Sequence, residues 1–268
     1  MTKNKTFTIG ADPEIFVGFG GKFISAHGLV KGDKKNPFPV QKGAVQVDGM
    51  ALEFNIDPAS DFDTFESNLS LVQEQLKSMI GDREFLRDTS VSFTEDFLKG
   101  IPIENVELGC EPDFNAYTGG ENVRPSSGEL MRTVGGHVHV GGFETDDPMN
   151  NRQMIMSGHL ARILDDKLGV YSILWDKDDK RRSMYGKAGS FRPKKYGMEY
   201  RTLSNAWIFS KDLVKFVYDA VEESFSLFEE RGYQTSEFTQ EIIDTSNRSH
   251  SFFKNNEKAD QIRDLVGA

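Results

Sequence analysis

Four short segments each place polar, ligand-type residues two positions apart in strand-like surroundings. They are Asp12 and Glu14 in GADPEIFV, Glu53 and Asn55 in GMALEFNI, His137 and His139 in GGHVHVGG, and Glu199 and Arg201 in GMEYRTL. In a β-strand, residues i and i+2 project from the same face. If the four strands share a sheet, one face gathers four carboxylates, two imidazoles and a guanidinium. Crowded carboxylates stay ionised only where cations neutralise them. The spacing therefore predicts a sheet with one apolar face and one polar face, the polar one organised by metal ions.

Composition limits what such a face could serve. The 268-residue chain has a formal net charge of −10 and 37% hydrophobic residues, including 21 phenylalanines, enough core for one large domain. With a pI of about 5.1, it lacks the broad basic field of a nucleic-acid binder and the polybasic surface that draws a protein to anionic lipid. A local basic pocket stays open, because Lys and Arg cluster between Lys177 and Arg201. The single cysteine, Cys110, rules out an intramolecular disulfide and a cysteine-based zinc site. No run approaches a membrane span and MTKNKTFTIG has no apolar signal core, so the expected compartment is the cytoplasm.

Phe7 to Val17 reads as a first strand, with Gly20-Gly21 turning an opening hairpin into Lys22 to Ala26. GLVKGDKKNPFPVQKG reads as loop, and β character resumes from Ala44 to Asn55 around Asp48-Gly49. Ser60 with Asp63 fits a capping box for a helix whose Phe62, Phe65, Leu69, Val72 and Leu76 share a face, closed by Gly81. Strands are expected at Val106 to Cys110 and at His137 to Val140. Asp147-Pro148 predicts a helix start, running to about Lys167 with Gly169 as its stop. Asp176 to Lys195 reads as a charged loop, Gly197 to Leu203 as the last strand, and Ser210 as the cap of a long helix to about Glu230. Together these elements predict an α+β fold, a mainly antiparallel sheet with helices packed on one face and the polar site on the other. A single domain over residues 1–268 is expected, completed by C-terminal helices from about residue 210.

Each motif also has a plainer reading. Asp12 and Glu14 could be solvated residues of an edge strand, although Ile9, Ala11, Ile15 and Phe16 around them favour a buried one. Glu53 lies in LEFNI, where an ionised carboxylate needs a metal or a salt-bridge partner. His137 and His139 share a face, and the flanking glycines allow close approach; such pairs recur in metal sites. Glu199 and Arg201 could form a simple ion pair. Alternatively Glu199 binds a metal while Arg201 grips a phosphate or carboxylate in a bidentate fork. Lys187, Arg192, Lys194 and Lys195 lie in GKAGSFRPKKYG, a cationic stretch suited to phosphates but without P-loop spacing. No G-x-G-x-x-G opens a helix and no G-x-S-x-G is present, so Walker, Rossmann and serine-elbow chemistry find no support. Arg132 is a further candidate anion contact, and His27, His159 and His250 stand alone.

In this order, the segments resemble the glutamine synthetase-like carboxylate–amine ligases, the superfamily that includes glutamate–cysteine ligase. More closely they resemble its phage-encoded type 2 carboxyl-to-amine ligase group. The superfamily's G-x-[ED]-x-E is matched by Gly10, Asp12 and Glu14, and its L-E followed by Pro is matched by Leu52, Glu53 and Pro58. Its G-x-H-x-[HN] is matched by Gly135, His137 and His139, and its E-x-R by Glu199 and Arg201. The ADPE, GGHVHVGG and EYRTLS of the phage group all stand in the chain as written. Asp12 replaces the more usual Glu, and the C-terminal helices carry none of the motifs.

The resemblance implies a glutamine synthetase/glutamate–cysteine ligase-like catalytic fold and ATP-dependent, ADP-forming amide synthesis through an acyl phosphate. Such chemistry asks the protein chiefly for positioning and charge neutralisation. It further implies Mg²⁺, or Mn²⁺ where an imidazole joins the oxygens, held by Asp12, Glu14, Glu53, His137 and Glu199. Arg201, Glu53 and Glu199 would be catalytic, with Arg192, Lys194, Arg132 and His139 on the nucleotide. The implied partners are small-molecule or peptide carboxylate and amine substrates, with no membrane and no nucleic acid, and a homo-oligomer stays open. A phage-encoded enzyme would work in the host cytoplasm. From the residues alone three other readings stay open: a metal-dependent hydrolase using the His-x-His pair, a small-molecule kinase on the same sheet, and a non-catalytic phage protein.

Overall fold

The four polar pairs fall on neighbouring strands. A computed structural model describes residues 7–106, 113–123 and 130–267. Its main sheet is built from β1 (Thr8–Ile15), β2 (Phe38–Val40), β3 (Gly43–Asp48), β4 (Ala51–Ile56), β5 (Phe114–Asn115), β6 (Gly136–Gly141), β7 (Ser190–Lys194) and β8 (Gly197–Tyr200). The order across the eight strands is β2-β3-β4-β1-β6-β8-β7-β5. Every pairing is antiparallel.

Alternation along these strands separates two faces. Ile9, Ala11, Leu52, Phe54, Val138, Val140, Met198 and Tyr200 turn to one side and are buried. They join one core with residues of α1 (Phe62–Met79), α2 (Asn151–Leu164) and α3 (Lys211–Glu230). Leu69, Leu160 and Val217 are the helices' share of it, and truncating Leu69 to Ala would cost about 2–5 kcal/mol. The fold is α+β with a large antiparallel sheet and its long helices on one face. On the opposite side Phe16, Ala51 and Val134 form a small second cluster with Phe23, Leu86 and Val91. Ala51 has the parity of Glu53, so this cluster walls the polar face.

Several boundaries differ from the sequence expectation. The opening strand stops at Ile15, and the hairpin around Gly20-Gly21 (Val17–Phe19 with Lys22–Ile24) belongs to a separate three-stranded sheet completed by Glu84–Phe85. The cap of α1 is Asp61, whose Oδ1 accepts the Thr64 amide at 2.8 Å, rather than the Ser60–Asp63 pair. Asn150 caps α2, accepting the Gln153 amide at 2.9 Å, while Asp147 closes a turn onto Met149. Gly169 does not stop that helix. A π-helical turn, Asp165–Gly169, leads into Val170–Trp175, and a Cβ at Gly169 would lie 2.3 Å from the Tyr200 hydroxyl. Ser210 caps α3 as expected.

The expected charged loop over Asp176 to Lys195 holds a short helix, Asp179–Met184, and strand β7. Its charges are internally used. Arg181, fully buried, donates to the Val134 carbonyl at 2.9 Å and the Leu203 carbonyl at 2.8 Å, and Arg182 meets Asp176 at 3.4 Å. Val106 ends a short helix, Ile103–Val106, instead of opening a strand; residues 107–110, with Cys110, lie outside the described residues. No helix among the described residues is long and apolar enough to cross a membrane.

Candidate active site

Strand register sets the site. Glu14 faces Glu53 across β1 and β4, Asp12 faces His137 across β1 and β6, and Glu199 on β8 faces both His139 and Arg192. Arg201 extends the β8 ladder through its amide bond to the Ser190 carbonyl (2.9 Å), which keeps it on the face of Glu199. The i, i+2 pairs of the sequence thus form one continuous polar surface over four adjacent strands. Gly135 makes room within it, because a Cβ there would lie 2.2 Å from His137 Nε2.

One end of the surface is acidic. Glu14, Glu53 and Asp48 bring carboxylate oxygens within 4.8 Å of one another. Asp48 pairs with Lys34 at 2.8 Å, a side chain 43% exposed, and Arg201 attracts Glu14. Burial, then the repulsion of Asp48, pushes the Glu14 carboxyl up to about 7. Burial, then Asp12, Asp48 and Glu14, pushes Glu53 well above the usual carboxylate range. The backbone secures Glu14, whose Oε2 accepts the Gly135 amide at 2.8 Å and whose carbonyl accepts Asn205 at 2.7 Å.

The other end is cationic. Glu199 is fully buried and contacts Lys194 at 2.9 Å, Arg192 at 3.2 Å and Arg201. The Arg201 guanidinium also stands 3.3 Å from His137 Nδ1, over the Tyr185 ring at 5.4 Å, and 3.9 Å from Asp113. Three cations converge on one buried carboxylate, an arrangement whose donors suit anionic oxygen.

Between the ends, Asp12, His139 and Glu199 offer ligand atoms within 4.8 Å of one another. Burial opposes ionisation of Asp12, but His139 and then His137 overcome it and hold the carboxyl well below its usual range. Burial and Arg201 lower His137; His139, despite burial, is raised by Asp12. Asp12 Oδ1, His137 Nε2, His139 Nε2 and Arg201 Nε are all buried without a hydrogen-bond partner. Buried polar atoms without partners mark a place where a ligand completes the set. A mix of carboxylate oxygens and one imidazole suits Mg²⁺ or Mn²⁺. The donor set therefore fits a hard divalent ion.

Of the expected residues, Asp12, Glu14, Glu53, His137, His139, Arg192, Lys194, Glu199 and Arg201 come together. His139 shares the ligand cluster with Asp12 and Glu199, and His137 Nδ1 lies 3.4 Å from Asp12 and 3.5 Å from Glu199. Arg132 is engaged elsewhere: it donates to the carbonyls of Met131 and Val106 and lies over Phe93 at 5.4 Å. Asp48 went unread as a site residue, although Gln46 and Asp48 in AVQVDG follow the same i, i+2 rule and Gln46 faces Glu53. Lys34, Asp113 and Tyr185 carry no sequence signal for the site.

A comparison with protein families matches residues 126–259, half of the chain, to the phage phiEco32-like COOH.NH2 ligase-type 2 family. The matched stretch contains His137, His139, Arg192, Lys194, Glu199 and Arg201. No curated protein matches the sequence. Among solved structures, a bifunctional glutathione synthetase from Pasteurella multocida is similar with a TM-score of 0.47 and 13% identity. That similarity covers 98% of this chain and 45% of the synthetase, so the chain spans less than half of its length. With its middle and later motifs inside the matched residues, the chain belongs to the phage phiEco32-like COOH.NH2 ligase-type 2 family.

Proposed function

We propose that the chain is an ATP-dependent, ADP-forming ligase that joins a carboxylate to an amine through an acyl phosphate. One observation carries this reading: a single sheet face with an acidic cluster at one end, three cations converging on Glu199 at the other, and unpartnered ligand atoms between them. The family assignment supports the reaction class. The ordered motifs on four adjacent strands support a glutamine synthetase/glutamate–cysteine ligase-like fold, and the shared core of α3 and the sheet supports one catalytic unit.

In this reaction the substrate carboxylate attacks the γ-phosphorus of ATP and ADP leaves. The amine then attacks the acyl carbon, giving up a proton as inorganic phosphate departs. Asp12, His139 and Glu199 would hold one divalent ion and Glu14, Asp48 and Glu53 a second. Bound Mg²⁺ supplies charge neutralisation and orientation of phosphate oxygens. Arg201 stabilises charge on the transferring phosphoryl group, with Arg192 and Lys194 beside it. Tyr185, under the guanidinium, restrains its plane. Small-molecule or peptide substrates fit this scheme.

Calorimetric titration with a non-hydrolysable ATP analogue, with and without Mg²⁺, tests the reading. Binding that requires Mg²⁺ is expected. Absence of binding under both conditions overturns it.

A further inference from the structure

Tyr196 occupies the turn between β7 and β8, and its side chain is directed at His139. The residue is 41% exposed, yet its hydroxyl meets His139 Nδ1 and its ring lies 5.9 Å from the imidazole. The turn is fixed from the backbone: the Tyr196 carbonyl accepts the Gly142 amide at 3.1 Å and the Lys195 carbonyl accepts the Thr145 amide at 2.8 Å. On the other side of the ring, His139 Nε2 is buried and 3.0 Å from Asp12 Oδ2, yet it forms no hydrogen bond. It faces the Asp12 and Glu199 carboxylates in a group able to hold an ion.

A neutral imidazole carries one proton, and the nitrogen that binds a cation must be the bare one. The proton then sits on the other nitrogen and needs a fixed acceptor, and loss of such an acceptor weakens metal binding by roughly 10- to 100-fold. From this geometry we infer that Tyr196 is a positioning residue for the ion site: its phenol oxygen accepts the Nδ1–H of His139 and so holds Nε2 bare toward Asp12 and Glu199. The inference rests on the proposed divalent-ion site. It assigns a role to a residue of the turn between β7 and β8 that acts through His139. The aromatic ring by itself is not sufficient for that role; the oxygen is.

Tyr196→Phe keeps the ring and removes the acceptor. Mn²⁺ is titrated into the wild-type protein, Tyr196→Phe, His139→Gln and the double variant, with free ion followed by electron paramagnetic resonance. Wild type should bind, and Tyr196→Phe should bind the affected ion roughly tenfold more weakly or worse. The double variant should be no weaker than His139→Gln alone, because the tyrosine acts only through the histidine. Wild-type affinity in Tyr196→Phe, or additive losses in the double variant, would overturn the inference. Failure of the wild type to bind Mn²⁺ sinks the ion site itself, and a second measurement then decides the role of Tyr196. Long-range ¹H–¹⁵N spectra of the imidazole should show His139 protonated at Nδ1 in wild type and a changed tautomer population in Tyr196→Phe. Identical spectra reject the inference.

Discussion

The two ends of the polar face solve the burial of carboxylates in opposite ways. At Glu199 the charge is over-compensated by Arg192, Lys194 and Arg201. At Glu14, Asp48 and Glu53 it is under-compensated, with Lys34 reaching Asp48 from a partly exposed loop and Arg201 attracting Glu14 without an ion-pair contact. Neither end is balanced alone. One calls for an added cation and the other for an added anion, which is the pair of charges that a metal-bound polyphosphate brings. A further carboxylate, Asp165, lies on the helix side of the sheet and is held by neutral donors: the Tyr200 hydroxyl at 2.5 Å and the Gly189 amide at 2.6 Å.

These contrasts can be broken one residue at a time. The largest effect is expected at the cationic end. Glu199→Gln removes a fully buried carboxylate that Arg192, Lys194 and Arg201 all contact, and should destabilise the ion-free protein by about 3–5 kcal/mol in urea unfolding. Inorganic phosphate should restore part of that loss through binding to the folded state; a neutral effect would show that the three cations are not held by Glu199. Asp165 supplies the comparison with neutral partners. Burial raises its carboxyl to about 7, above the unfolded value near 4. The folded state therefore keeps a proton that the unfolded chain gives up, and stability should fall as pH rises from about 4 to about 7, by up to about 4 kcal/mol. Glu14 and Glu53 contribute a slope of the same sign, so Asp165→Asn should reduce the slope by its own share, and an unchanged slope would reject the assignment.

At the acidic end the sign reverses. Glu53→Gln relieves repulsion, so ion-free stability should stay level or rise by about 1 kcal/mol, while Mn²⁺ binding weakens roughly tenfold or more. A loss of stability comparable to that of Glu199→Gln would erase the distinction between the ends. The smallest change is expected for Lys34→Met. An exposed pair contributes at most about 1 kcal/mol, so freeing Asp48 should tighten Mn²⁺ binding by only about two- to fivefold, read by the same titration. Weaker binding would mean that Lys34 supports the ion site instead of competing for it.

Much of this site was legible because strand geometry is rigid. Asp12-x-Glu14, His137-x-His139 and Glu199-x-Arg201 need only the two-residue period to share a face, and their apolar neighbours identify the strands as central. Helix starts were less readable where two caps compete within a few residues, as with Ser60 and Asp61 or Asp147 and Asn150, because the choice depends on how the preceding chain enters. Arg192 and Lys194 lie in a stretch that reads as loop because it is charged and contains glycines. Their strand pairs with β8 across the two-residue turn Lys195-Tyr196, which carries none of the Asn-Gly or Asp-Gly signal of a hairpin. Arg181 and Arg182 misled in the same way, since their partners are carbonyls and a carboxylate supplied by the fold. Tyr196 was invisible for a different reason: a single aromatic in a turn acquires meaning only from the imidazole it reaches.

Strand β1 lies between a neighbour made soon after it and one made much later, for Glu14 meets Gly135 across 121 residues. During synthesis β4 can pair with β1 early, but the other edge of β1 waits for the second half of the chain. Closure over such a distance is slow, and an open strand edge invites pairing with other chains. Asp12 and Glu14 sit on that waiting strand, and charges of this kind discourage association of unfinished molecules. The same carboxylates that line the candidate site in the completed protein would then act as gatekeepers while it is still being made.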